Sequence, residues 1–188
     1  MMQEAMTRAI TDAVIIPAVK DRETLEKSLN LEQKVVFVLF GDVCNIRSTI
    51  ARLHQAGKYA VVHGDLINGL SAKDVAADFL KACGADGVIS TRPNVIRRAK
   101  ELGMFTVLRF FIFDSMSLQT AEKTAETARP DLVEILPGIM PRIVRQLSAT
   151  IAVPLLCGGL IQDKTDVVEA LNAGASAVST TREDVWSL

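Results

Sequence analysis

Eight short apolar runs recur about every 23 residues along a chain of 188, and each is followed by an amphipathic segment. That alternation constrains the fold more than any single motif. The last unit shows its logic. The run Pro154-Leu-Leu-Cys ends in Gly158-Gly159, an amphipathic stretch from Asp163 to Ala173 is closed by Gly174, and a second run from Ala175 to Val178 ends in Ser179-Thr180-Thr181. This order predicts strand, glycine turn, helix, strand, hydroxyl-rich turn. Two parallel strands must be joined in this way, because their connection crosses over through a helix.

The earlier units follow the same plan. Strands are predicted over Val14 to Val19, Val35 to Phe40, Tyr59 to His63, Gly87 to Thr91, Phe105 to Phe113 and Leu132 to Leu136. Between them, helices are predicted from Asp21 to about Leu29, Asn45 to Gln55, and Ala72 to Ala82 with Ser71 as its cap. Pro93 opens the next, in a first turn where its missing N–H costs nothing. Further helices are expected from Ser115 to Ala128 and Arg142 to Ala149, with a short last one over Arg182 to Ser187.

Eight strands alternating with eight helical segments fit a single (β/α)8 barrel of the TIM type spanning residues 1–188, with residues 1–12 as an N-terminal extension. An open doubly wound parallel sheet has the same alternation and is the alternative. Apolar content of 49% and a mean hydropathy of +0.26 suit strands buried on both faces, and no apolar run reaches the ~18 residues of a membrane span. The N-terminus, with Gln3, Glu4, Thr7 and Arg8, has no apolar signal core, so a cytoplasmic location is expected. Cys44, Cys83 and Cys157 lack metal-type spacing and are expected to be reduced, buried thiols. A net charge of −1 shows no general attraction to nucleic acid or anionic membrane. The chain is short against the usual lower bound of about 200 residues, which leaves no room for a long catalytic lid.

A charge in mid-strand is tolerable on the inner face of a barrel and not against apolar helices. Arg109 and Glu134, on neighbouring strands, are therefore expected to point inward and meet, either as a structural ion pair or as partners of a polar ligand. His63 and Asp65 close the third strand. An acid–base role, a metal and a hydrogen-bonded core imidazole are all open for His63, although no metal-ligand spacing is present. Asp65 and Asp114 are also placed to cap helices. Ser90, Thr91 and Arg92 end the fourth strand with two hydroxyls and a guanidinium suited to an anion. Gly158, Gly159, Ser179, Thr180 and Thr181 are the stronger anion signal, because the loops after strands 7 and 8 of such barrels commonly hold phosphate. The basic group Arg97, Arg98 and Lys100 reads as a solvated helix face or an RNA contact, and no aromatic residues interleave with it. Residue chemistry alone thus leads to a small barrel that binds a phosphorylated small molecule.

The combination resembles the glycerol-uptake operon antiterminator regulatory proteins of bacteria. The matching segments are Ile16-Pro-Ala18, His63-Gly-Asp-Leu-Ile-Asn-Gly-Leu70, Asp86-Gly-Val-Ile-Ser-Thr-Arg92 and Arg109-Phe-Phe-Ile-Phe-Asp-Ser115. They continue with Pro130-Asp-Leu-Val-Glu-Ile-Leu-Pro-Gly138, Cys157-Gly-Gly-Leu-Ile161, Ala177-Val-Ser-Thr-Thr181 and Trp186. Gly64 departs from the larger residue expected in the His-x-Asp-Leu motif, at a position whose side chain should face the outer helices.

The resemblance implies a transcription antiterminator without catalysis or cofactor. Its effector would be sn-glycerol 3-phosphate and its target the leader of glycerol-catabolism messenger RNA; assembly into a homo-oligomer is compatible with the reading. The phosphate would sit on Gly158, Gly159, Ser179, Thr180 and Thr181. Asp65, Arg109, Glu134, His63, Ser90 and Arg92 would be the candidates for the remaining polar contacts and their support. A phosphosugar isomerase or aldolase and a metabolite-binding module without RNA are the competing classes.

Overall fold

A computed structural model describes residues 2–188. The first helix, α1 (Met2–Ala13), precedes eight β/α units. The strands are β1 (Ile15–Val19), β2 (Val35–Val38), β3 (Tyr59–His63), β4 (Gly87–Ser90), β5 (Phe105–Phe111), β6 (Leu132–Leu136), β7 (Leu155–Gly158) and β8 (Ala177–Thr180). The helices that follow β1 to β7 are α2 (Arg22–Ser28), α3 (Ile46–Gln55), α4 (Val75–Ala82), α5 (Pro93–Glu101), α6 (Ser115–Ala128), α7 (Pro141–Thr150) and α8 (Lys164–Asn172), and a 3-10 turn, Glu183–Val185, follows β8. Every strand pairs in parallel with the next. β8 pairs back onto β1 through Ile15–Val178, Ile16–Ser179 and Pro17–Thr180. That last pairing closes the barrel and removes the open sheet as an alternative.

Two apolar layers result. Ile16, Phe37, Val61, Ile89, Phe105 and Leu156 fill the barrel interior, while Val36, Val62, Val88, Val133 and Val178 face the helices. Helix α1 adds Met6 and Ile10, both fully buried, to the inner layer. It packs against β1, β2, β5 and β8. Because α1 leads into β1, it lies at the N-terminal end of the strands, where Gln3 Nε2 also donates to the Gly103 carbonyl at 3.2 Å. The stretch read from sequence as an extension is thus a plug for the barrel floor. Full burial of side chains of this size contributes about 1.5–3 kcal/mol each.

Local chemistry explains most helix starts. Asp21 and Asp114 make capping boxes with Thr24 and Ser117, and Asp163 accepts from the Thr165 and Asp166 amides. Ser71 does not cap the third unit's helix, which begins only at Val75; its hydroxyl accepts from the Lys73 amide in the preceding loop. Cys83 and Cys157 are buried, but Cys44 is exposed, because it lies in the β2–α3 loop where its amide donates to Asp42. β5 ends at Phe111, two residues before Phe113, which points to solvent at 81% exposure. His54 Nε2 lies 2.8 Å from Asp86, which also accepts from the Ala60 amide and so ties α3 to the β3 and β4 entries. No helix among the described residues is long and apolar enough to cross a membrane.

Candidate functional site at the barrel mouth

The C-terminal ends of the strands carry a polar layer over the apolar interior. On β3, β5, β6 and β8 the inward positions run Val61–His63, Val107–Arg109, Leu132–Glu134 and Ala177–Ser179, each apolar below and polar above. The expected ion pair is present: Arg109 Nε donates to Glu134 Oε2 at 2.6 Å, with the glutamate fully buried. Ser179 Oγ donates to the other carboxylate oxygen, Oε1, at 2.5 Å. Gly158 leaves the space this network occupies.

His63 is 3% exposed, and its Nδ1 has no hydrogen-bond partner. Burial first, and then the Arg109 charge, push its pKa down to about 4, so the imidazole is neutral near pH 7. Asp65 behaves differently from a helix cap or a free ligand contact. Its Oδ1 accepts from Ser90 Oγ at 2.7 Å, and its Oδ2 accepts from both Thr91 N and Thr91 Oγ1 at 2.7 Å. Arg92 Nε approaches Oδ1 at 3.6 Å. Burial works to raise the Asp65 pKa, but the donors from Ser90 and Thr91 outweigh it and hold the carboxyl below its ordinary value. Both carboxylate oxygens are therefore committed within the protein.

A cavity of about 380 Å³ opens above β5–β8 and β1–β2. Gly159, Ser179, Thr180 and Thr181 line it together with Arg109. Gly158 and Glu134 support the wall from beneath, whereas His63, Asp65, Ser90 and Arg92 lie on the β3–β4 side and do not line it. Gly159 has φ +71, and a Cβ there would meet Leu136 at 3.1 Å. The next residue, Leu160, keeps a left-handed backbone with φ +61, an uncommon conformation for a non-glycine residue. The Thr180 hydroxyl is already used: it donates to the Ile161 carbonyl at 2.9 Å and accepts from Arg182 N at 3.1 Å. Trp186 Nε1 holds the Thr180 carbonyl at 2.8 Å, so the buried tryptophan braces the β8 end. Sequence reasoning assigned Arg182 only to the final helix; it too lines the cavity. The signal that could have found it is its place directly after Ser179-Thr180-Thr181.

The basic face of α5 is partly neutralised. Arg98 pairs with Asp78 at 2.6 Å and with Glu101 at 3.0 Å, and Lys100 donates to the Arg129 carbonyl. Arg97 is exposed and makes no ion pair among the described residues. A larger groove of about 770 Å³ involves Lys100, Lys123 and Arg129, but Glu122 and Glu126 share it, and it lies on the outer wall away from the mouth. No group of three or more His, Cys, Asp or Glu among the described residues is placed to hold a metal. Gly64 accepts a side chain: a Cβ there would make ordinary contacts of 3.6 and 3.7 Å with Leu80 and Val88 of the outer layer.

Residues 15–186 match the family described as glycerol-3-phosphate responsive antiterminator. The chain belongs to that family. Among solved structures, the barrel resembles a glycerol uptake operon antiterminator regulatory protein from Listeria monocytogenes, with a TM-score of 0.89 and 34% identity over 92% of this chain and 94% of that one. A glycerol uptake operon antiterminator-related protein from Thermotoga maritima gives a TM-score of 0.82 at 32% identity, covering 93% and 98% of the two chains. The uncharacterized protein YgcP of Escherichia coli is 41% identical over 175 residues, covering 93% of this chain and 92% of its own length. The family match begins at β1, so α1 lies outside it.

Proposed function

We propose that the protein senses sn-glycerol 3-phosphate and, when bound to it, acts as an antiterminator on the messenger-RNA leader of glycerol-uptake and glycerol-catabolism genes. The carrying observation is the cavity at the mouth, where the β7–α8 loop and the β8 end meet the Arg109 guanidinium. A phosphoester has the size and charge for that place. Its phosphate would take the Gly159, Ser179 and Thr181 side with Gly158 and Thr180 shaping the loop, and its hydroxyls would extend toward Arg109, which Glu134 orients.

A sensor rather than an enzyme is favoured by the fate of the candidate groups. Asp65 is consumed in hydrogen bonds, Glu134 is sealed beneath the cavity, and Lys20, the nearest lysine for Schiff-base chemistry, is exposed after β1.

The test is thermal unfolding with sn-glycerol 3-phosphate, glycerol or inorganic phosphate. A specific ligand at ~100 times its Kd should stabilise the fold by about 2.7 kcal/mol. A shift with the phosphoester above that of either control, followed by effector-dependent and salt-sensitive retardation of leader RNA, is expected. No shift with the phosphoester removes the effector reading, and a shift without RNA retardation removes the RNA target.

A further inference from the structure

We infer that β4 and β8 end in two copies of one anion-holding device: the β4 copy is filled by the protein's own Asp65, and the β8 copy presents Thr181 and Arg182 to the phosphate of a ligand in the cavity. This rests on the proposed binding of a phosphoester and names the residues that grip it.

The repeat is visible in the chain and in its hydrogen bonds. Gly84-Ala85, Val88 and Thr91-Arg92 recur ninety positions later as Gly174-Ala175, Val178 and Thr181-Arg182. At the strand entries, Ala85 N donates to the Leu80 carbonyl at 3.0 Å and Ala175 N to the Ala170 carbonyl at 3.1 Å. At the exits, Arg92 N donates to Ser90 Oγ and Arg182 N to Thr180 Oγ1, both at 3.1 Å. The two arginines share a backbone conformation, φ −104 and ψ 111 against φ −82 and ψ 110.

At the β4 exit the device holds an anion. Thr91 N and Thr91 Oγ1 converge on one Asp65 oxygen, Ser90 Oγ takes the other, and the Arg92 guanidinium stands beside them. Register identifies the counterpart of Asp65 in the other half. His63 pairs with Ile89 and Gly158 with Ser179, so two residues further on Asp65 corresponds to Leu160. Leu160 carries no charge, is 58% exposed and has the left-handed backbone noted above. No carboxylate among the described residues therefore takes Asp65's place on Thr181, whose amide and hydroxyl have no protein hydrogen-bond partner there. Arg182 is engaged by Asp184 at 2.9 and 3.1 Å, but both side chains are more than half exposed. That pair is bidentate but solvent-screened and therefore weak, and a doubly charged phosphate in the cavity can take over the same guanidinium fork.

The repeat supplies its own test, which is to give the β8 copy the carboxylate of the β4 copy. Calorimetric titration with sn-glycerol 3-phosphate and with inorganic phosphate is performed on the wild type, Leu160→Asp, Leu160→Asn and Arg182→Gln. Aspartate and asparagine both tolerate a left-handed backbone, so the difference between the two Leu160 variants reads the charge alone. Leu160→Asp is expected to weaken phosphoester binding at least about 100-fold relative to Leu160→Asn, and Arg182→Gln to weaken it about 10- to 100-fold, the range of charge-assisted hydrogen bonds. Equal affinities in the two Leu160 variants, or wild-type affinity in Arg182→Gln, would overturn the inference. Binding of inorganic phosphate but not of the glycerol ester, lost in Leu160→Asp, would keep the device and reject the effector. Binding of neither by the wild type rejects both.

Discussion

Gly158 lies against Glu134 so closely that a Cβ built on the glycine would sit 2.6 Å from the Glu134 Oε1 and 2.7 Å from the Ser179 hydroxyl. The carboxylate and serine fill the space where any other residue would place its side chain. Gly158→Ala should therefore displace the buried network and lower stability by about 1–3 kcal/mol, the usual cost of overpacking. Urea unfolding measures it; wild-type stability in the variant would mean that Glu134 can move aside freely.

The Arg109–Glu134 pair should behave as a unit. Arg109→Met or Glu134→Leu alone leaves a buried charge without its partner, at a cost of about 3–5 kcal/mol, whereas the double variant should recover a large part of that loss. A double-mutant cycle in denaturant is the check, and simple additivity of the two losses would show that the pair contributes no coupling.

Stability should decline in acid before the carboxylates titrate. Folding lowers the His63 pKa from its ordinary 6.5 to about 4, so the unfolded chain takes up the proton first. The native state keeps its full stability above pH 6.5 and loses up to about 3 kcal/mol as the pH falls to 4. Asp65, held below its ordinary value, adds its own loss only below about pH 4. His63→Gln should flatten the profile between pH 6.5 and 4; an unchanged slope would assign it to other groups.

The floor of the barrel should be separable from its mouth. Ile10→Ala removes a fully buried side chain of α1 and should cost about 2–5 kcal/mol. Ligand affinity at the opposite end should stay within about twofold, as distant sites are usually independent. A variant as stable as the wild type would show that α1 is not anchored in the core.

Most of the fold was legible. Apolar runs, glycine stops after helices and aspartate caps are all local signals, and they placed every strand within two or three residues. The helix after β3 was misjudged because Ser71 looks like a cap and instead closes a turn of the preceding loop. The candidate site was legible as a set of strand-end residues and not as an arrangement. Arg109 and Glu134 could be paired from charge alone, because two buried opposite charges on adjacent strands need each other. The hydrogen bonds of Asp65 could not be read in the same way, since its donors, Ser90 and Thr91, are 25 and 26 residues away.

By itself the sequence determined the number, order and parallel direction of the strands, because those follow from interactions among residues near in the chain. Only the tertiary structure decided that β8 closes onto β1, that Met6 and Ile10 fill the floor, and that one half of the mouth supplies its own anion while the other faces a cavity. The physical reason is the double-sided burial of the strands. With both faces apolar, alternation carries little information about which side chains point inward, and contacts across the barrel join residues far apart in the chain.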